Sequence, residues 1–159
     1  MTMRADDLYE ADFYAWTKRQ TKALRALRET RPNVEVDWER LIEEVHDLGK
    51  SERNALRSWT TKIIEHLLKL QFSPATDPRL GWMDETVLFR REVADNLTPS
   101  LRRDLAARLP RLYAAARDDL RRKLGYRGET KAAATLPEAC PYTLQQVLDA
   151  DWWPERRED

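Results

Sequence analysis

The sequence predicts an all-α fold: a single-domain bundle of about five to seven helices over residues 1–159, ending in a short C-terminal helix and a docked Trp-rich tail. Three observations carry this. Glycine is scarce, at 4 residues, so little of the chain is built for turns. Leu, Ala, Arg and Glu dominate while Val and Ile are few, which favours helix over strand. Apolar residues recur at three- and four-residue intervals, and no segment alternates with the period of two that a half-buried strand needs. A chain of this length buries roughly 70% of its unfolded surface, enough for a core without metals or disulfides.

The elements follow from caps and breakers. Asp12 is placed to cap a helix to about Arg28 whose stripe is Phe13, Trp16, Gln20, Leu24 and Leu27. Arg31-Pro32-Asn33 interrupts it. Asp37 caps the next, with Glu39, Glu43 and Glu44 early in it, where the helix dipole favours negative charge. Its stripe reads Leu41, Val45, Leu48, Leu56, Trp59, Ile63, Leu67, Leu70. Either Gly49 ends that helix and Ser51 caps a new one over residues 51–72, the central element of the bundle, or the two are continuous with a kink, the break being the leading expectation. Ser73-Pro74 closes it, and a helix from about Trp82 to Leu97 follows. Thr98-Pro99 reads as N-cap plus proline at the first helical position. Pro110 is expected to break that helix near Arg108 and start another, which Gly125 closes, leaving residues 126–137 irregular. Thr143 and Gln146 have capping-box spacing for a last short helix before Trp152-Trp153-Pro154.

Charge and composition limit the function classes. The formal net charge is zero, so no global field recruits nucleic acid or an anionic membrane. Residues 33–48 nevertheless carry six acids against Arg40, and residues 98–127 carry nine bases against Asp104, Asp118 and Asp119. These segments are expected to be neighbours of complementary charge. The bases from Arg102 to Arg127 spread around their helices, so nucleic-acid binding through residues 102–127 is the third-ranked reading. The single Cys140, the acids near the N-terminus where a signal peptide needs bases, and the lack of an 18-residue apolar run predict a cytoplasmic protein without a membrane span.

Glu43 and His46 form a Glu-x-x-His step, the ligand spacing of di-iron bundles. At ~100° per residue both fall outside the apolar stripe, as do Glu44 and Glu65, and no second copy of the step exists in the chain. Neither a metal nor a cofactor is therefore expected. His66 falls on the stripe and needs a buried hydrogen-bond partner. Glu52 also falls on it but ~21 Å of helix rise away, so the two cannot meet within one helix. His66 with Glu52 is the candidate polar site. Trp152 and Trp153 either dock on the bundle or offer a partner surface. Cys140 has no Cys-x-x-Cys partner or local histidine and reads as a structural thiol.

Three phrases taken together resemble a known family: "LYEADFYAW", "LIEEVHDLGKSERNALRSWTTKIIEHLLKLQ" and "CPYTLQQVLDADWWPE". They resemble the domain of unknown function 29 family, small proteins of cyanobacteria and proteobacteria, over residues 8 to 155. The resemblance implies an all-α domain of bacterial cytoplasmic origin and implies no activity. The pair Trp152-Trp153 departs from the single aromatic that the family more often shows before proline. From the residues, the leading expectation is a non-enzymatic interaction or regulatory protein with a homodimer or another protein as partner. An enzyme or ligand-binding protein using His66 is the alternative.

Overall fold

The structure, a computed structural model, describes residues 4–30 and 33–157. Within them lie seven α-helices and no strand: α1 (Ala5–Ala11), α2 (Phe13–Glu29), α3 (Trp38–Phe72), α4 (Arg79–Asn96), α5 (Pro99–Tyr126), α6 (Thr130–Thr135) and α7 (Leu144–Leu148). The all-α class and the helix number are those expected. The break predicted at Arg31-Pro32 lies outside the described residues. Contacts divide the chain into two compact units, Met1–Ala55 with Thr98–Asp104, and Leu56–Leu97 with Leu105–Asp159. Among the described residues no helix is long and apolar enough to cross a membrane.

The first unit is organised by Asp12 and Gly49. Asp12 closes α1, its N–H donating to the Leu8 carbonyl, and caps α2 by accepting from the Ala15 N–H at 3.0 Å. The same carboxylate accepts from the Ser100 N–H at 2.8 Å and the Ser100 hydroxyl at 2.6 Å. One buried side chain therefore satisfies orphan N–H groups at the starts of two helices, α2 and α5. Burial alone would raise its pKa, but the Ser100 and Ala15 donors outweigh it and hold Asp12 below the ordinary carboxyl value. Tyr9, Phe13 and Trp16 form an aromatic triad across α1 and α2, with centroids 4.9–5.6 Å apart.

Gly49 does not end a helix; α3 runs unbroken through it. A Cβ at this position would stand 2.1 Å from Thr17 Oγ1 and 3.3 Å from Tyr14 Cδ2, so at this glycine α2 and α3 approach too closely for a side chain. The inward face of α3 here differs from the predicted stripe. Ile42 and Gly49 are buried, whereas Leu41 and Leu48 are 40% and 52% exposed. The expected stripe runs through side chains, whereas the packing against Thr17 is made by a residue without one.

In the second unit every residue of α3 from Ile63 to Leu70 is buried. Its partners in the core include Val93 of α4, Leu105, Tyr113, Leu120 and Leu124 of α5, and Val147 of α7. Pro110 does not break α5. Pro110 and Ala106, whose carbonyl loses its donor, are both exposed, so water satisfies the freed acceptor. The helix closes after Gly125, at Gly128, whose φ of 76° suits glycine. There the N–H of Glu129 donates to Leu124 O and that of Gly128 to Gly125 O, a Schellman closure. Residues 130–135, expected to be irregular, form α6. α7 carries the full capping box of Thr143 and Gln146. Arg90, only 3% exposed, donates from Nε to Val147 O at 2.9 Å and from a terminal nitrogen to Gln146 O at 3.1 Å, which places a cation at the C-terminal end of α7. Burial lowers its pKa to about 10.

Candidate anion-binding groove

The close approach at Gly49 sets out a groove in the first unit. From α2 come Tyr14, Thr17, Lys18, Thr21 and Arg25, spaced 3, 1, 3 and 4 residues apart and so on one helical face. From α3 come His46, Lys50 and Arg53, which flank Gly49 at one turn below, beside and one turn above. The cavity they enclose is ≈ 240 Å³. Its lining holds four cations and one imidazole and no carboxylate. Lys18 Nζ lies 4.6 Å from the centre of the Tyr14 ring, which faces it toward the recess wall.

The two threonines of the groove are buried, at 2% and 4% exposure. Thr17 donates its hydroxyl to Tyr14 O at 2.7 Å and Thr21 donates to Thr17 O at 2.8 Å. Both hydroxyl hydrogens are thus committed to the helix backbone, leaving oxygen lone pairs as the only free function. A neighbouring recess of ≈ 390 Å³ shares Arg25 and His46 and adds Arg28, Glu39, Ile42 and Glu43. Here Arg28 is bound to Glu39 at 2.6 Å, so this end of the groove is acidic or neutralised. His46 itself is exposed, with Nδ1 3.4 Å from Asp47 Oδ1. Among the described residues no three His, Cys, Asp or Glu side chains converge as metal ligands.

The residues singled out from sequence lie elsewhere. His66 is 5% exposed in the second unit, its Nε2 on a carboxylate oxygen of Glu85 and its ring tilted against Phe89 at 5.9 Å. Glu52 is half-buried on the same helix α3 as His66, ~21 Å of helix rise from it, so the two do not meet along that helix. Burial is the main influence on His66 and lowers its pKa, although Glu85 pulls it upward. Beside it, Glu65 is 2% exposed and accepts from Lys69 at 3.1 Å and Lys123 at 2.5 Å, with Lys69 5.7 Å from the Trp82 ring centre. The wheel placed Glu65 outside the stripe, on the wet side; burial on all sides of this stretch overrules that. The signal was present in "IIEHLLKL", where apolar residues encircle the helix instead of lining one face. Trp152 packs edge-on against Tyr142 at 5.5 Å, and Trp153 lies under the Arg90 guanidinium at 4.9 Å. Cys140 donates to Tyr142 O, and burial pushes its thiol pKa up, away from nucleophilic character.

Against known proteins, the family model described as "Domain of unknown function DUF29" matches residues 8–153. The chain belongs to this family of unknown function. Among solved structures, it is similar to an alpha-helical protein of unknown function from Rhodospirillum rubrum, with 26% identity and a TM-score of 0.77. The match covers 91% of this chain and 90% of that one. No curated protein matches the sequence. Family membership thus fixes the all-α architecture, and any function has to be argued from side chains such as those of the groove.

Proposed function

We propose that this protein is a cytoplasmic, non-catalytic binding protein that holds a small anion in the α2/α3 groove. The observation that carries the reading is the lining of that cavity: Lys18, Arg25, Lys50 and Arg53 around one recess with no carboxylate among them. Lys18, Arg25 and Lys50 are exposed and Arg53 is half-buried with Asn54 as its neighbour, so the recess is open to water and an anion entering it is attracted by all four. Arginine supplies planar forks and lysine point charges, a combination suited to oxyanions. Binding rather than catalysis is supported by the threonine hydroxyls, whose hydrogens are already spent on the backbone and are not poised for transfer.

The test is thermal unfolding in inorganic phosphate against chloride at matched ionic strength. An anion at one hundred times its Kd stabilises by about 2.7 kcal/mol, which for a chain of this size is roughly 5–10 °C. The rise should be lost in the Lys50→Glu, Arg53→Glu double variant. An equal rise in both proteins would mean a general solvent effect of the salt and no site.

A second reading, self-association or a protein partner, is favoured by Leu41 and Leu48, two turns apart on one exposed face of α3 with Val45 beside them. Sedimentation velocity separates it from the first: Leu41→Lys with Leu48→Lys should reduce the sedimentation coefficient of a self-associating protein and leave phosphate binding intact. A monomer in both forms would remove self-association.

A further inference from the structure

We infer that the half of the α2/α3 hairpin nearest its connection docks on the same hairpin of a second copy, with α2 laid antiparallel on the α3 of that copy. This rests on the second reading above, self-association, and adds the surface, the partner and its orientation.

The surface follows from the groove. On α2 the face turned to α3 is Tyr14, Thr17 and Thr21, which are buried. At ~100° per residue, Lys18 and Arg25 lie to one side of that face, and the apolar stripe of Phe13, Trp16, Leu24 and Leu27 lies to the other. On α3 the inward residues are Ile42 and Gly49, with His46, Lys50 and Arg53 to one side and Leu41, Val45 and Leu48 to the other. Because the first set on each helix lines one groove, the two apolar stripes share the opposite side of the hairpin. Tyr9 of α1 packs edge-on against Phe13 and Trp16. Beyond it Leu27 is 45% exposed, with Leu41, Leu48 and the half-buried Leu24 and Val45 on the same side. Of the nine large apolar residues exposed among those described, five lie between residues 27 and 48, so the exposure is a patch and not a scatter.

A two-helix layer with one apolar side is completed by a further layer. Charge selects a second copy and fixes how it sits. The outer edges of the face carry Arg19 on α2 and Glu44 on α3, both exposed. Arg40, the base nearest the α3 edge, is already held by Asp37 at 3.6 Å. The helices run oppositely, Thr17 lying against Gly49 and Arg28 bound to Glu39. Arg19 is two residues along α2 from the Thr17 contact and Glu44 five residues back along α3, so their heights differ by ~4.5 Å. A two-fold axis parallel to the helices keeps those heights and lays α2 on the α3 of the copy. It brings Arg19 of each chain to Glu44 of the other, and the symmetry makes the pair twice. An axis across the helices would instead lay α2 on α2 and α3 on α3, basic edge on basic edge and acidic on acidic. The groove lies on the opposite side of the hairpin and stays open in the dimer.

The experiment is sedimentation velocity of the full chain over a concentration series, with variants at exposed positions. The wild type is expected to be a dimer that dissociates on dilution. Leu27→Lys on α2 should leave it monomeric, as should Leu41→Lys with Leu48→Lys on α3. Arg19→Glu and Glu44→Arg should each weaken the dimer roughly ten-fold, since each turns two attractions into two repulsions. The two reversals together in one chain should restore it. A dimer lost in the α3 variant but untouched by Leu27→Lys would overturn this inference and leave self-association through α3 standing. A dimer that both charge reversals leave unchanged, or that their combination fails to restore, would overturn the seating of α2 on α3. A wild type that is monomeric at every concentration would remove this inference and the self-association reading together.

Discussion

Replacing Gly49 by alanine sets two effects of opposite sign against each other. In an exposed helix the change would add about 1 kcal/mol through helix propensity. Here the new methyl would stand 2.1 Å from Thr17 Oγ1 and 3.1 Å from Thr17 Cβ. The contact with Oγ1 forces the Thr17 side chain to turn, and the contact with Cβ asks α2 and α3 to give by only a few tenths of an ångström. Turning it also breaks the bond from Thr17 to Tyr14 O, worth about 1 kcal/mol. Overpacking of this kind costs about 1–3 kcal/mol, so the net expectation is a loss of about 1–3 kcal/mol. Urea unfolding at neutral pH measures it directly, and Thr17→Ala supplies the control. With Oγ1 gone the methyl of Gly49→Ala is largely accommodated, so the double variant should recover about 1–2 kcal/mol of coupling energy. A Gly49→Ala protein as stable as the wild type, or more so, would show that propensity alone decides and that the helices do not meet at this residue. Because the groove walls are set by the same contact, the variant should also bind phosphate more weakly than the wild type.

The remaining expectations concern the capping and buried polar groups. Asp12→Ala should cost about 2–3 kcal/mol, as it removes a cap and a pair of bonds to Ser100. Because the folded carboxyl lies below its ordinary value, its contribution is complete above about pH 4 and is lost as pH falls through the folded value, so Asp12→Asn should flatten stability in that acid window. His66 has a folded pKa below the ordinary value of 6.5, so stability is full above about pH 6.5 and declines as pH falls toward the folded value. His66→Gln should remove that decline, read as Tm against pH between about 5 and 7. Arg90→Met should cost about 2–4 kcal/mol by freeing the Val147 and Gln146 carbonyls, and Arg90→Lys should not restore it, because an ammonium cannot serve both carbonyls and stack on Trp153. A Lys variant of wild-type stability would show that charge alone matters at this position.

What could be read from the sequence was what a side chain does to its own backbone. Asp12, Thr98-Pro99 and the pair Thr143 and Gln146 act within three or four residues, and each starts a helix where expected. At Gly49 and Pro110 the local rule names breakers, while tertiary context decides between a break and a continuous helix: close packing needs the first, and water on an exposed face tolerates the second. Gly125 was expected to close α5, whereas Gly128 does, because nothing local marks which glycine takes a positive φ. The groove could not be read at all. Its α2 and α3 residues are separated by the whole connection between the helices, and Lys18, Arg25, Lys50 and Arg53 look like any solvated bases until Gly49 brings Thr17 against α3. The spacing of His46 to Glu43 is a metal pattern, whereas its place in the structure is in the groove that Lys50 and Arg53 also line.

The measurement that tests the anion groove most directly is a nuclear magnetic resonance titration of the uniformly ¹⁵N-labelled chain with inorganic phosphate against chloride. The expected result is a saturable set of amide shifts confined to residues 14–25 and 46–53, absent when Lys50 and Arg53 are glutamates. Shifts that never saturate, or that saturate elsewhere with these two segments unmoved, would contradict it.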